Sequence, residues 1–193
     1  MKSVGLLGGS FDPPHKGHLY ISVEAKKNLQ LNEIWWLVTP QNPNKLSKPA
    51  SYNERIHNCK KIVKKYPIKI IEIEKKIQSK YSFQTISYLI KHYKNINFFW
   101  LMGADNLINF HKWQKWRNIF NCIPIVIFQR HGYNTKALNS IASKNYINYK
   151  LTNNLLNSNN FNKLPTLIWL NNKEIKISST EIRKQRILFR GQN

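Results

Sequence analysis

Two imidazoles three positions apart, His15 and His18, close the run Gly8-Gly9-Ser10-Phe11-Asp12-Pro13-Pro14-His15-Lys16-Gly17-His18-Leu19, where an apolar stretch gives way to helical spacing. Paired glycines let backbone approach a ligand closely, and a glycine-rich turn opening onto a helix N-terminus offers N–H groups and a positive dipole end to phosphate. His15 and His18 can point the same way at that helix start and donate hydrogen bonds to a polyphosphate as its charge develops. Taken singly, Gly-Gly is an ordinary turn, and two histidines at this spacing are commonly solvated neighbours. The whole run fits neither GxGxxG nor GxxxxGK[ST], which disfavours a dinucleotide-dependent dehydrogenase and an ordinary P-loop NTPase.

Two further clusters carry similar chemistry. Near the C-terminus, Ile177-Ser178-Ser179-Thr180-Glu181-Ile182-Arg183 follows an apolar segment. Hydroxyls before a helix act first as N-caps, but three of them with Arg183 in the same turn also offer donors and a fixed cation to phosphate. In mid-chain, Leu101-Met102-Gly103-Ala104-Asp105-Asn106-Leu107 precedes Trp113-Gln114-Lys115-Trp116-Arg117. An acid there suits ribose hydroxyls and an aromatic suits a stacked ring; as plain structure, Asp105 caps a helix and at least one tryptophan is core. Cys59 and Cys122 stand apart from any CxxC or Cys/His grouping, which argues against zinc and disulfides and for buried, reduced thiols.

The elements that must position these groups alternate. Apolar runs rich in Ile, Val, Trp and Phe predict strands at Ser3–Leu7, Glu33–Val38, Ile68–Ile73, Asn97–Met102, Pro124–Phe128 and Thr166–Leu170. Helical spacing occupies Leu19–Leu29, Tyr52–Tyr66, Phe83–Tyr93 and Trp113–Asn121. Strand and helix in turn imply right-handed crossovers: an α/β fold, a doubly wound parallel sheet with helices on both faces. In such a sheet ligands bind beyond the carboxyl ends of the strands, which is where the three clusters fall. The 193 residues suit one domain, 1–193, with no repeat or linker, and the Asn153–Asn162 stretch reads as a surface loop.

Composition adds limits. Apolar runs fall far short of the ~20 residues of a membrane span, and the start is too short and too soon followed by Pro-Pro to be a secretory signal, so a cytoplasmic protein is expected. The net charge of +22 favours an anionic partner, a nucleic acid or a phosphorylated substrate. Lys outnumbers Arg while Asn and Ile are also abundant, a pattern that AT-rich coding produces at tolerant surface positions without any role in binding.

The run GGSFDPPHKGHL resembles the (H/T)xGH signature of the nucleotidyltransferase superfamily, in the form found in bacterial nicotinate-nucleotide adenylyltransferases. The resemblance implies a Rossmann-like nucleotidyltransferase fold and transfer of the adenylyl group of ATP, with Mg2+, to nicotinate mononucleotide. It implies that His15, His18 and Arg183 are catalytic and that Gly8, Gly9, Ser10, Phe11 and Gly17 bind ATP. The C-terminal cluster matches the superfamily's (I)SSTxIR, which assigns Ser178, Ser179 and Thr180 to the ATP phosphates. By resemblance to the GxDxL…W segment, Gly103 and Asp105 contact nucleotide and Trp113 stacks on the pyridine ring. Tyr81-Ser82-Phe83-Gln84-Thr85-Ile86 is similar to YTxDTL, which gives Thr85 to the nicotinate carboxylate although Ser82 and Gln84 depart from the pattern. Thr39 to Lys45, with Glu54-Arg55 beyond it, occupies the substrate-loop position without the usual PPHK, leaving Lys45 for the acceptor phosphate. Arg130-His131-Gly132-Tyr133 resembles RPGY and places Arg130 on the ATP side.

The likeness runs from Gly8 to Arg183, and only Lys136–Lys163 is uninformative. It implies small-molecule partners, with neither nucleic acid nor membrane. The rivals are a relative using nicotinamide mononucleotide or phosphopantetheine, a nucleic-acid-binding protein, and an ATP-sensing regulator without turnover.

Overall fold

The computed structural model describes residues 1–40, 49–152, 163–173 and 179–183. Its strands are β1 (Lys2–Gly9), β2 (Glu33–Val38), β3 (Ile68–Ile71), β4 (Ile96–Gly103), β5 (Ile125–Phe128), β6 (Lys150–Thr152) and β7 (Leu167–Leu170). The helices are α1 (Lys16–Asn28), α2 (Tyr52–Val63), α3 (Ile73–Lys76), α4 (Ser82–His92), α5 (Ala104–Ile108), α6 (Trp116–Cys122), α7 (Asn134–Leu138) and α8 (Ile141–Asn145). All the strands pair in parallel in one seven-stranded sheet of order β3-β2-β1-β4-β5-β7-β6. The expected doubly wound α/β architecture is therefore present, and strand order reverses between β1 and β4.

The strands are near-continuous apolar runs because both faces of the sheet are covered. Alternate side chains feed two cores. Val4, Leu6, Trp35, Leu37, Phe98 and Trp100 pack with Leu89 of α4 and Phe120 of α6. Leu7, Ile34, Trp36, Val38, Phe99 and Leu101 pack with Leu19 of α1 and Ile56, Cys59 and Val63 of α2. Burying these stems is the main term holding the layers together, each large side chain contributing about 1.5–3 kcal/mol.

Several expectations need correction. The segment Lys136–Lys163, silent in the sequence, supplies α8 and the edge strand β6, whose three residues are too few to show a period. β3 ends at Ile71, and Ile73, read as strand, starts α3 and is buried in the core. The helix expected from Trp113 begins only at Trp116, because Lys115 is left-handed at φ 54° and interrupts it. Cys59 is buried, Cys122 is half-buried, and both are free thiols. Among the described residues no helix is long and apolar enough to cross a membrane.

Candidate active site

The reversal between β1 and β4 opens a crevice at their carboxyl ends, and both strands end there in glycine. A Cβ on Gly8 would lie 2.7 Å from the ring of Trp100, and one on Gly103 would lie 2.5 Å from Asp105 Oδ1. Any side chain at either position would displace a neighbour, the buried Trp100 ring or the Asp105 carboxylate.

The two histidines cap the helix they introduce. His15 is extended at φ −148° and is the N-cap of α1; its Nδ1 accepts from the Gly17 N–H at 3.1 Å, while His18 Nδ1 accepts from the His15 N–H at 3.1 Å. This is a capping box built from imidazoles rather than hydroxyl and carboxylate. With each Nδ1 used as an acceptor, each neutral ring carries its proton on Nε2. The rings stand 3.8 Å apart at 34°. Burial, aided by the nearby charge of Arg130 and opposed by Glu181, lowers the His15 pKa to about 4. At neutral pH His15 is thus an uncharged donor rather than a cation. Behind the pair, Phe11 adopts φ 48°, stacks on Trp36 at 4.6 Å and lies 4.8 Å from His18. Trp36 Nε1 donates to Ser22 Oγ at 2.8 Å, and Ser22 donates to the His18 carbonyl at 2.8 Å, so packing and hydrogen bonds fix that ring together.

Residues distant in sequence meet this motif. Ser179 Oγ donates to the Pro13 carbonyl at 3.0 Å; Arg183 donates to the Asp12 carbonyl, and its Nη1 lies 3.7 Å from the Asp12 carboxylate. Arg183 Nη2 also donates to Thr180 Oγ1 at 3.2 Å. The Ser179–Arg183 turn is therefore docked on the turn that precedes His15. From β4, Asp105 in the first turn of α5 binds Arg130 Nη1 at 2.5 Å. The other oxygen of Asp105 is buried without a hydrogen-bond partner among the described residues. Ser178 and Lys45 lie outside the described residues.

The acceptor-side assignments divide. Trp113 is half-buried beside the core, edge-on to Trp100 at 6.3 Å and tilted against Phe110 at 4.9 Å, while Trp116 is core, as one tryptophan was expected to be. Thr85 is fully buried, and its hydroxyl lies between Ser79 Oγ at 2.8 Å and Glu74 Oε1 at 3.4 Å rather than on an open surface. The hydroxyl is thus committed to Ser79 and Glu74.

Sequence reasoning placed Arg55 beyond the substrate loop but gave it no role. It is 1% exposed, and its guanidinium donates to the carbonyls of Ser10, Thr39, Pro40 and Ala50 at 2.7, 2.8, 2.7 and 3.0 Å. One cation thus ties the turn after β1 to the segment after β2. The available signal was its spacing: it shares the buried stripe of α2 with Ile56, Cys59 and Val63, where a charge needs a reason.

A family model described as cytidylyltransferase-like matches residues 6–185. A protein of Ruegeria sp. (strain TM1040) named "Probable nicotinate-nucleotide adenylyltransferase" is 42% identical over 183 residues, which are 95% of this chain and 97% of that one. One of the same name from Pelagibacter ubique (strain HTCC1062) is 42% identical over 182 residues, 94% of this chain and 92% of that one. Among solved structures, the nicotinic acid mononucleotide adenylyltransferase of Plasmodium falciparum complexed with NaAD matches with a TM-score of 0.70 at 17% identity. That match covers 95% of this chain and 83% of the other, a likeness of fold.

Proposed function

Because this chain belongs to the cytidylyltransferase-like family, and within it to the nicotinate-nucleotide adenylyltransferases, we propose that it transfers the adenylyl group of ATP to nicotinate mononucleotide. The products are nicotinate adenine dinucleotide and pyrophosphate. The observation that supports this most is the docking of Ser179 and Arg183 onto Asp12-Pro13 beside the His15–His18 cap, which gathers phosphate donors from both ends of the chain at one switch point.

An oxygen of the acceptor 5′-phosphate bonds to the α-phosphorus of ATP while the bond from that phosphorus to the bridging oxygen breaks, and pyrophosphate leaves with the electron pair. The nucleophile is already an anion, so the reaction needs orientation and charge stabilisation rather than a base. The Nε2–H groups of His15 and His18 and the Arg183 guanidinium donate to the phosphates as charge moves onto the leaving group. Such a donor is worth about 3 kcal/mol. Gly8, Gly9, Ser10, Phe11 and Gly17 shape the triphosphate nest, with Ser179 and Thr180 opposite. Asp105, with one unpartnered oxygen, takes a ribose hydroxyl, and Arg130 anchors Asp105. Trp113 is the wall for the pyridine ring.

Magnesium bound to ATP would screen the triphosphate, held by nucleotide and water, while Asp12 and Asp105 each face an arginine.

The test is pyrophosphate release with ATP and magnesium, comparing nicotinate mononucleotide, nicotinamide mononucleotide and phosphopantetheine, with His18→Ala as control. Turnover selective for nicotinate mononucleotide and abolished in the variant is expected. Turnover with another acceptor only, or full activity of His18→Ala, refutes the proposal.

A further inference from the structure

A cavity of about 610 Å³ opens away from the crevice, between the second half of α1, the start of β2 and the turn leading into β3. Val23, Leu31, Ile34, Pro67 and Ile68 form its apolar wall. Ile34 and Ile68 stand at the amino ends of β2 and β3, so the cavity lies toward the opposite edge of the sheet from the carboxyl-end crevice. A largely apolar volume with a few polar groups is the usual form of a small-molecule site, for which about 300–1,000 Å³ is typical.

Its charged groups are of one sign. Lys26 and Lys27, from the last turn of α1, line it, and no acidic residue among the described ones does. Lys26 Nζ donates to the carbonyls of Leu31 and Asn32 at 2.8 and 2.9 Å, which fixes the ammonium in place without neutralising it. Neither lysine forms a salt bridge among the described residues. Lys64 and Lys65 immediately precede Tyr66, another lining residue, and add to the same field. The acids nearest in sequence are engaged: Glu24 accepts from Asn28, and Glu33 binds Lys2 and Lys69. The negative end of the α1 dipole amounts to about half a charge against these full ones.

The cavity also reaches a residue tied to the phosphate motif. His18, Ser22 and Lys26 repeat every fourth position on one face of α1, which puts Lys26 about 12 Å along the helix from His18. Ser22 is 1% exposed and lines the cavity. Its hydroxyl donates to the His18 carbonyl and accepts from Trp36 Nε1, and the Trp36 ring lies edge-on to His18 at 5.8 Å.

We propose that this cavity binds a small amphipathic anion, an apolar chain or ring ending in one carboxylate, and that its occupancy is passed to His18 through Ser22. The apolar body covers Val23, Ile34 and Ile68, and the carboxylate meets Lys26 and Lys27. The separation from His18 keeps this ligand clear of the triphosphate nest, so it binds alongside ATP.

Decanoate supplies that chemistry and serves as the test ligand. It is titrated into the isotope-labelled full chain while NMR follows the indole N–H of Trp36, identified by its loss in Trp36→Phe, and the His18 imidazole. Both should shift saturably with one midpoint, which saturating ATP leaves in place. Val23→Phe, which fills the cavity from its exposed rim, should abolish both shifts. Lys27→Glu, an exposed change, should weaken binding about tenfold. Ser22→Ala should still bind decanoate but lose the His18 response, and decylammonium, with the same chain and the opposite charge, should not bind. Absence of a saturable shift below the concentration at which decanoate forms micelles overturns the site, as does a midpoint that ATP displaces. Unaltered binding by Lys27→Glu, or equal binding of decylammonium, overturns the assigned ligand chemistry even if Val23→Phe fails to fold. A shift at Trp36 with none at His18 overturns the coupling. None of these readouts needs turnover, so failure of the adenylyl-transfer reading is separately visible.

Discussion

Replacing Arg55 by methionine keeps most of the side-chain volume and deletes every donor. Four carbonyls, of Ser10, Thr39, Pro40 and Ala50, then lose their partner at a position 1% exposed to solvent. Each hydrogen bond to a charged group is worth about 1.5–3 kcal/mol net, but the freed loops can turn some carbonyls to water, so the sum is not additive. A loss of about 4 kcal/mol is expected, a large fraction of the roughly 5–15 kcal/mol that holds a domain folded. Arg55→Lys keeps a charge but presents it as one compact ammonium, which cannot span four acceptors, and should lose about half as much. Urea unfolding followed by tryptophan fluorescence measures both. Kinetics at low temperature should show KM rising for ATP and acceptor together, because Ser10 borders one substrate and Pro40 and Ala50 flank the loop for the other. An Arg55→Met protein within about 1 kcal/mol of wild type, with both KM values unchanged, would refute the idea that one cation holds the two loops.

Trp113→Ala should raise KM for the pyridine nucleotide and leave that for ATP alone, since it removes the proposed stacking wall; equal changes in both would move the acceptor pocket elsewhere. The His15 pKa of about 4 lies below its unfolded value of 6.5, so its contribution to stability is complete above pH 6.5 and is lost as pH falls toward 4. NMR of the imidazole should show a neutral, Nε2-protonated ring at pH 6, and a ring already half-charged there would contradict the cap. In Gly103→Ala the new methyl meets Asp105 Oδ1 at 2.5 Å, so Asp105 must swing away from Arg130. ATP KM should rise several-fold with a stability loss of about 1–3 kcal/mol, and unchanged kinetics would remove Asp105 from the nucleotide site.

The sheet was legible because six of its strands are apolar runs, five of them buried on both faces and β3 half-exposed, long enough to show against their surroundings. β6 was hidden because three residues, Lys150–Thr152, carry no period, and it exists by pairing with β7. The two phosphate clusters were legible as residue types that suit one polyphosphate between them, but the contact itself was not: the Ser179 to Pro13 hydrogen bond spans 166 positions and is a property of the fold. The direction of the Thr85 hydroxyl was not legible for a similar reason. The motif marks Thr85 as a binding residue, whereas the hydroxyl's direction depends on Glu74 and Ser79, which carry no motif. Arg55 was visible only as a residue beyond the substrate loop and an oddity on an apolar stripe, and its four acceptors come from two loops that no local pattern joins.

The docking of Ser179 and Arg183 on Asp12-Pro13 also orders events in time. During synthesis every strand among the described residues precedes Ser179, so the scaffold can assemble while the proposed catalytic constellation is still missing its arginine. On the mechanism proposed above, adenylyl transfer reaches its full rate only when the Ser179–Arg183 turn returns to Asp12-Pro13, and a nick between β7 and Ser179 should leave a folded sheet with weakened activity. Adding the excised peptide back in trans would then be the direct measure of how much of the site resides in that single late contact.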